Sequence, residues 1–102
     1  MKALPKGLSV IEHKDLLLVK LYDTLIAKVD FVNGDVSINS GLQDIGRLTK
    51  HTKKCLNLAL EDSKISVRQE DFKWIITHVD VDNVSRYFYL DDAGRSNFNM
   101  YE

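Results

Sequence analysis

The sequence predicts an α+β fold: a mostly antiparallel sheet of short strands, about four before and three after, with one main helix at about residues 48–62 packed on one face. Three observations predict it. Apolar and polar residues alternate over short windows in both halves of the chain. Asn33-Gly34 stands between two apolar runs, the strongest short-range hairpin signal. Only the middle of the chain changes to an apolar spacing of three and four, which is helical. A helix laid on one face of an antiparallel sheet is the simplest layered arrangement for that order.

The elements follow in order. Lys6-Gly7 closes a short leader, and Leu8 to His13 reads as a first strand. Lys14-Asp15 is a turn, and Leu16 to Tyr22 is a Leu- and Val-rich strand. After Asp23-Thr24, Leu25, Ala27, Val29 and Phe31 alternate with Lys28 and Asp30, the period of a half-buried strand. Asn33-Gly34 then predicts a type I′ turn, whose two central residues need positive φ. Asp35 to Asn39 is the return strand. Ser40 to Gln43 fits a capping box. Leu42, Ile45, Leu48, Thr52, Cys55, Leu56 and Ala59 form one apolar stripe. Gly46 interrupts it at a cost of about 1 kcal/mol against Ala. The helix is therefore either continuous from Ser40 or broken at Gly46, and the glycine cost favours the break. Beyond Ser63, Ile65 and Val67 start a strand, Phe72, Trp74 and Ile76 another, and Arg86 to Leu90 a third. Asp91 to Gly94 is a turn, and the remainder from about 95 reads as a polar tail.

The chain of 102 residues has room for a single domain, 1–102, with a short flexible leader at 1–6. A hydrophobic share of 44% and a charged share of 28% are those of a globular protein. The net charge of −1 supplies no global attraction to nucleic acid or membrane, so electrostatic function must come from a local patch. Cys55 is the only cysteine, which excludes an internal disulfide and a multi-cysteine metal site. The apolar runs are too short to span a bilayer, so no membrane partner is expected.

One cluster argues for function. Arg47, Lys50, His51, Lys53 and Lys54 crowd the start of the helix, while Glu61 and Asp62 stand at its far end. The helix dipole favours the opposite order. The bases also lack acidic partners four residues on: Arg47 faces His51, Lys50 faces Lys54, and Lys53 faces Asn57. A phosphate of nucleic acid or nucleotide would account for the arrangement. The plainer alternative is a solvated face neutralised by strand acids such as Asp30, Asp35 or Glu70.

Other groups suggest no chemistry. His13, His51 and His78 are too dispersed for a metal motif. His78 continues the face of Trp74 and Ile76 and reads as a half-buried strand histidine, while Cys55 lies on the apolar stripe and reads as a core residue. The carboxylate pairs Glu61-Asp62, Glu70-Asp71 and Asp91-Asp92 fall at element ends, where turn chemistry explains them. No catalytic residue, metal site or cofactor is expected. Tyr87 and Tyr89 share a strand face. Strand aromatics beside bases can stack nucleobases, although cross-strand packing is the commoner role.

Three motifs occur in order: Ile38-Asn39-Ser40-Gly41, Thr52-Lys53-Lys54-Cys55-Leu56-Asn57, and Val67-Arg68-Gln69 leading to Phe72-Lys73-Trp74. Together they resemble a group of small uncharacterised proteins of tailed bacteriophages. In that group a hairpin ends in apolar-x-Asn-Ser-Gly-Gly-Trp, a Thr-Thr-Lys-x-Arg-apolar-Asn helix follows, and a strand leads to aromatic-x-Trp. Here Leu42 and Gln43 replace the second Gly and the Trp, and Cys55 replaces the Arg. The resemblance spans about Leu16 to Val79 and implies a phage or prophage origin and a cytoplasmic setting in the host cell. It implies no activity. The resulting expectation is a non-enzymatic phage accessory protein that binds phosphates of nucleic acid or nucleotide through the basic helix start. The alternative is a protein-interaction module that inhibits a host factor, in host takeover or anti-defence, with Tyr87 and Tyr89 as its partner-binding residues. Edge strands such as Leu8–His13 or Arg86–Leu90 would permit a homodimer.

Overall fold

A computed structural model describes residues 4–39, 50–71, 73–91 and 95–101. Four strands precede the helix: β1 (Leu8–His13), β2 (Leu16–Leu21), β3 (Thr24–Asp30) and β4 (Asp35–Asn39). The helix α1 (Lys50–Ala59) leads through a single 3-10 turn, Glu61–Ser63, into β5 (Ile65–Glu70), β6 (Lys73–Val79), β7 (Ser85–Tyr89) and β8 (Arg95–Asn99). All pairings are antiparallel. The expected α+β class holds. The strands divide between two sheets, ordered β1-β2-β3-β4-β8 and β5-β6-β7.

Four strands follow the helix, one more than the sequence predicts. The residues read as a polar tail form β8, which pairs with β4 from Asp35↔Asn99 to Asn39↔Arg95. Ser96, Phe98 and Met100 turn inward while Arg95 and Asn97 stay exposed. The signal is weak because asparagine is a poor strand former and only Phe98 and Met100 are apolar on the inner face.

The first sheet contributes Val19, Val29, Val36, Ile38 and Phe98 to one buried cluster, and the second contributes Ile65, Val67 and Ile76. Cys55, Leu56 and Leu60 join them from the helical segment. The core therefore lies between the sheets. The Phe88 and Phe98 rings stack 4.1 Å apart and link β7 to β8 on one side. The helix packs against β5 and β2 and closes another.

Two local departures have physical causes. Strict alternation on β3 fails at Ile26. Val19 pairs with Ala27 but Lys20 with Leu25, so Ile26 is an extra residue in a bulge. Ile26 and Ala27 are both buried, and Leu25 and Phe31 are exposed. A bulge reverses the inside–outside phase along a strand. The β3–β4 hairpin forms as predicted, but not with a type I′ turn. Only Gly34 has positive φ, +81°, and the loop spans four residues, 31–34. The Asp30 carboxylate takes over the turn, accepting hydrogen bonds from the Val32 and Asn33 amides and from Asn33 Nδ2. Those bonds hold its pKa below the ordinary value. A Cβ on Gly34 would lie 2.5 Å from the Tyr101 ring, so the position excludes side chains on space as well as on φ.

The predicted capping box at Ser40–Gln43 and the break at Gly46 lie outside the described residues. Among the described residues, no helix is long and apolar enough to cross a membrane.

Candidate phosphate-binding groove

Helix α1 is amphipathic over its described length. Thr52, Cys55 and Leu56 are buried, while Lys50, His51 and Lys54 are exposed. Its apolar face sits on the core, and the opposite flank runs along β5, the edge strand of the smaller sheet. The two are joined by one side chain. Asn57 Nδ2 donates to the Val67 carbonyl at 3.0 Å, and its Oδ1 accepts from the Val67 amide at 2.6 Å. An edge strand leaves such backbone groups without strand partners. The Asn57 amide presents one donor and one acceptor and so replaces the missing strand at Val67. The Ile65 amide, one step along the same edge, donates to the Leu60 carbonyl.

Between α1 and β5 runs an open groove of about 910 Å³. Lys53, Lys54, Lys64 and Arg68 line it, and among the described residues Glu61 is the only acid in its lining. The Lys53 ammonium lies 5.7 Å from the centre of the Trp74 ring, a cation–π contact across to β6. Lys64 has a left-handed backbone, φ 59°, where glycine or asparagine would be less strained. A lysine at such a position is a cost to local stability, and here its side chain lines the groove.

Of the acids expected as neutralising partners, two are engaged elsewhere, while the third, Glu70, pairs with a base of the groove. Asp30 is taken up by the β3–β4 turn, and Asp35 accepts from Asn99 Nδ2. Glu70 pairs with Arg68 at 3.4 Å within its own strand, and both side chains are more than half exposed. Exposed pairs of that kind contribute little to stability.

The predicted phosphate residues separate. Lys53 and Lys54 lie in the groove, and Lys50 stands three and four residues before them, on the same helix flank. Arg47 lies outside the described residues. His51 departs from the cluster: its Nε2 lies 3.0 Å from the Lys6 carbonyl and 3.8 Å from Cys55 Sγ, not along the groove. Lys64 and Arg68 were missed. Their positions just after the helix and on the next strand carry no helical spacing, so only the α1–β5 packing brings them to the lysines.

The Cys55–His51 proximity has no nucleophilic character. The thiol is fully buried, and burial pushes its pKa up, against a smaller opposing influence from Lys54. Among the described residues, no three His, Cys, Asp or Glu side chains gather to hold a metal.

His78 is the buried titratable group of the second sheet, 6% exposed, with Nδ1 lacking a hydrogen-bond partner. Burial lowers its pKa below the usual 6.5, Asp80 opposes that shift, and Arg86 adds to it. The folded state thus favours the neutral imidazole. As pH falls below about 6.5 the unfolded chain takes up a proton that the folded chain resists. Stability is therefore full above that pH and declines until the folded-state pKa is passed. Urea midpoints at pH 7.5 and pH 5 should show this loss, and His78→Leu should reduce it. An unchanged pH dependence in the variant would remove His78 as the cause.

Tyr87 and Tyr89 are exposed on β7, away from the core. Compared with protein-family models, with curated proteins and with solved structures, the chain matches none of them.

Proposed function

We propose that this protein acts by binding rather than catalysis, and that the α1–β5 groove holds the phosphates of a nucleic acid. The observation that carries the reading is the gathering of Lys53, Lys54, Lys64 and Arg68 along one groove in a chain of net charge −1. A patch of that kind in a molecule without global attraction selects a polyanion locally. The resemblance to small phage proteins supports an accessory role in the cytoplasm of an infected bacterium.

Fluorescence anisotropy with a labelled oligonucleotide tests it. Each phosphate neutralised on a single strand contributes about −0.7 to the slope of log affinity against log salt. Four engaged cations give a slope near −3, and the affinity should fall about 50-fold between roughly 50 and 200 mM salt. Absence of binding at low salt would discard the reading. A second reading rests on the two exposed tyrosines, which suit a contact with a host protein. It requires that a host factor co-purify with the parent protein and be lost when Tyr87 and Tyr89 are replaced.

A further inference from the structure

The outer face of the smaller sheet continues the groove. Register decides which side chains share a face. Ser66, Thr77 and Tyr87 align across β5, β6 and β7, and Arg68, Ile75 and Tyr89 form the adjacent row. Val67, Ile76 and Phe88 alternate with them and point to the core side. Both tyrosines thus project outward, 54% and 58% exposed. Arg68 reaches over β6 and places its guanidinium carbon 5.9 Å from the centre of the Tyr87 ring. The same arginine lines the α1–β5 groove. One guanidinium therefore belongs to both surfaces and makes them continuous, and it is the only charged group in the two rows.

We propose that the bound nucleic acid is single-stranded, with its backbone in the groove and two successive bases stacked on Tyr87 and Tyr89. This rests on the groove's reading as a phosphate site. Three arguments select a single strand. Aromatic side chains stack on base faces, which a duplex hides between neighbouring pairs. Side chains two residues apart on a strand stand about 7 Å apart. That is twice the 3.4 Å step along one duplex strand, so bases that have come apart from one another fit the pair of rings. Arginine, finally, serves both surfaces, since its planar group binds phosphate and lies on aromatic rings.

The test compares a strand of roughly 12 nucleotides, within the span one small domain covers, with its duplex and with an abasic strand of equal length and charge. At about 50 mM salt the parent protein should bind the base-bearing strand at least tenfold more tightly than either. Tyr87→Ala with Tyr89→Ala should lower that affinity to the abasic level, at least tenfold for the two rings together. Tyr87→Phe with Tyr89→Phe should keep the preference for bases, because phenylalanine retains the stacking surface. Equal binding of base-bearing and abasic strands by the parent overturns the stacking and leaves the phosphate groove standing, and that comparison needs no variant. An alanine pair that binds like the parent does the same and returns the tyrosines to a protein partner. No binding of any strand overturns both proposals.

Discussion

Asn57→Leu is expected to lower the melting temperature by roughly 10 to 25 °C. Leucine fills a similar volume, so packing changes little. What is lost is the pair of hydrogen bonds from one amide to both backbone groups of Val67. Val67 is 3% exposed, so its amide and carbonyl have little access to water as a substitute. Leaving buried groups of that kind unpaired costs about 1–3 kcal/mol each, and together they give about 2–4 kcal/mol after relaxation. Thermal unfolding followed by circular dichroism measures it directly. A melting temperature within two or three degrees of the parent would show that the amide does not bridge helix and strand. The substitution should also weaken oligonucleotide binding at temperatures where the variant is folded, since the groove is the space between the two elements that Asn57 joins.

Lys54→Gln combined with Arg68→Gln is expected to reduce oligonucleotide affinity on the order of 50-fold at about 50 mM salt, with the salt slope roughly halved. Both side chains are exposed, so their replacement should leave the melting temperature nearly unchanged. That separation of affinity from stability distinguishes this pair from Asn57. Lys20→Gln with Lys28→Gln removes the same charge from exposed positions on β2 and β3, outside the groove. A groove that acts locally predicts that this second pair costs far less affinity. If the two double variants weakened binding equally, the groove would lose its claim and only total charge would matter.

The periodicities within each short segment were sufficient for the elements. Alternation marks β3, β5 and β6, richness in Leu and Val or in aromatics marks β2 and β7, and the spacing of Thr52, Cys55 and Leu56 marks α1, because each signal is local to its segment. The basic start of the helix was equally plain, and Lys53 and Lys54 do reach the groove. Other features depend on residues far apart in the chain. Strand β8 is recognisable only through β4, where Val36 meets Phe98 and Ile38 meets Ser96. The bulge at Ile26 exists because β2 pairs out of step with β3. The division into two sheets follows from which edges find partners.

The same holds for the site. Spacing placed His51 among the bases, but the packing of the leader turns it toward the Lys6 carbonyl. Nothing in the spacing of Lys64 and Arg68 links them to the helix. The Asn57–Val67 clamp sets α1 beside β5 and brings them there. The sequence by itself thus determined the α+β class, the order of most elements and half of the basic cluster, all of which are local. Only the tertiary structure decided that the bases face a groove, that Asp30 and Asp35 are engaged elsewhere while Glu70 pairs with Arg68, and that Arg68 joins the groove to Tyr87. Charge neutralisation and surface continuity are properties of neighbours in space, and local periodicity carries no information about which distant segments become neighbours.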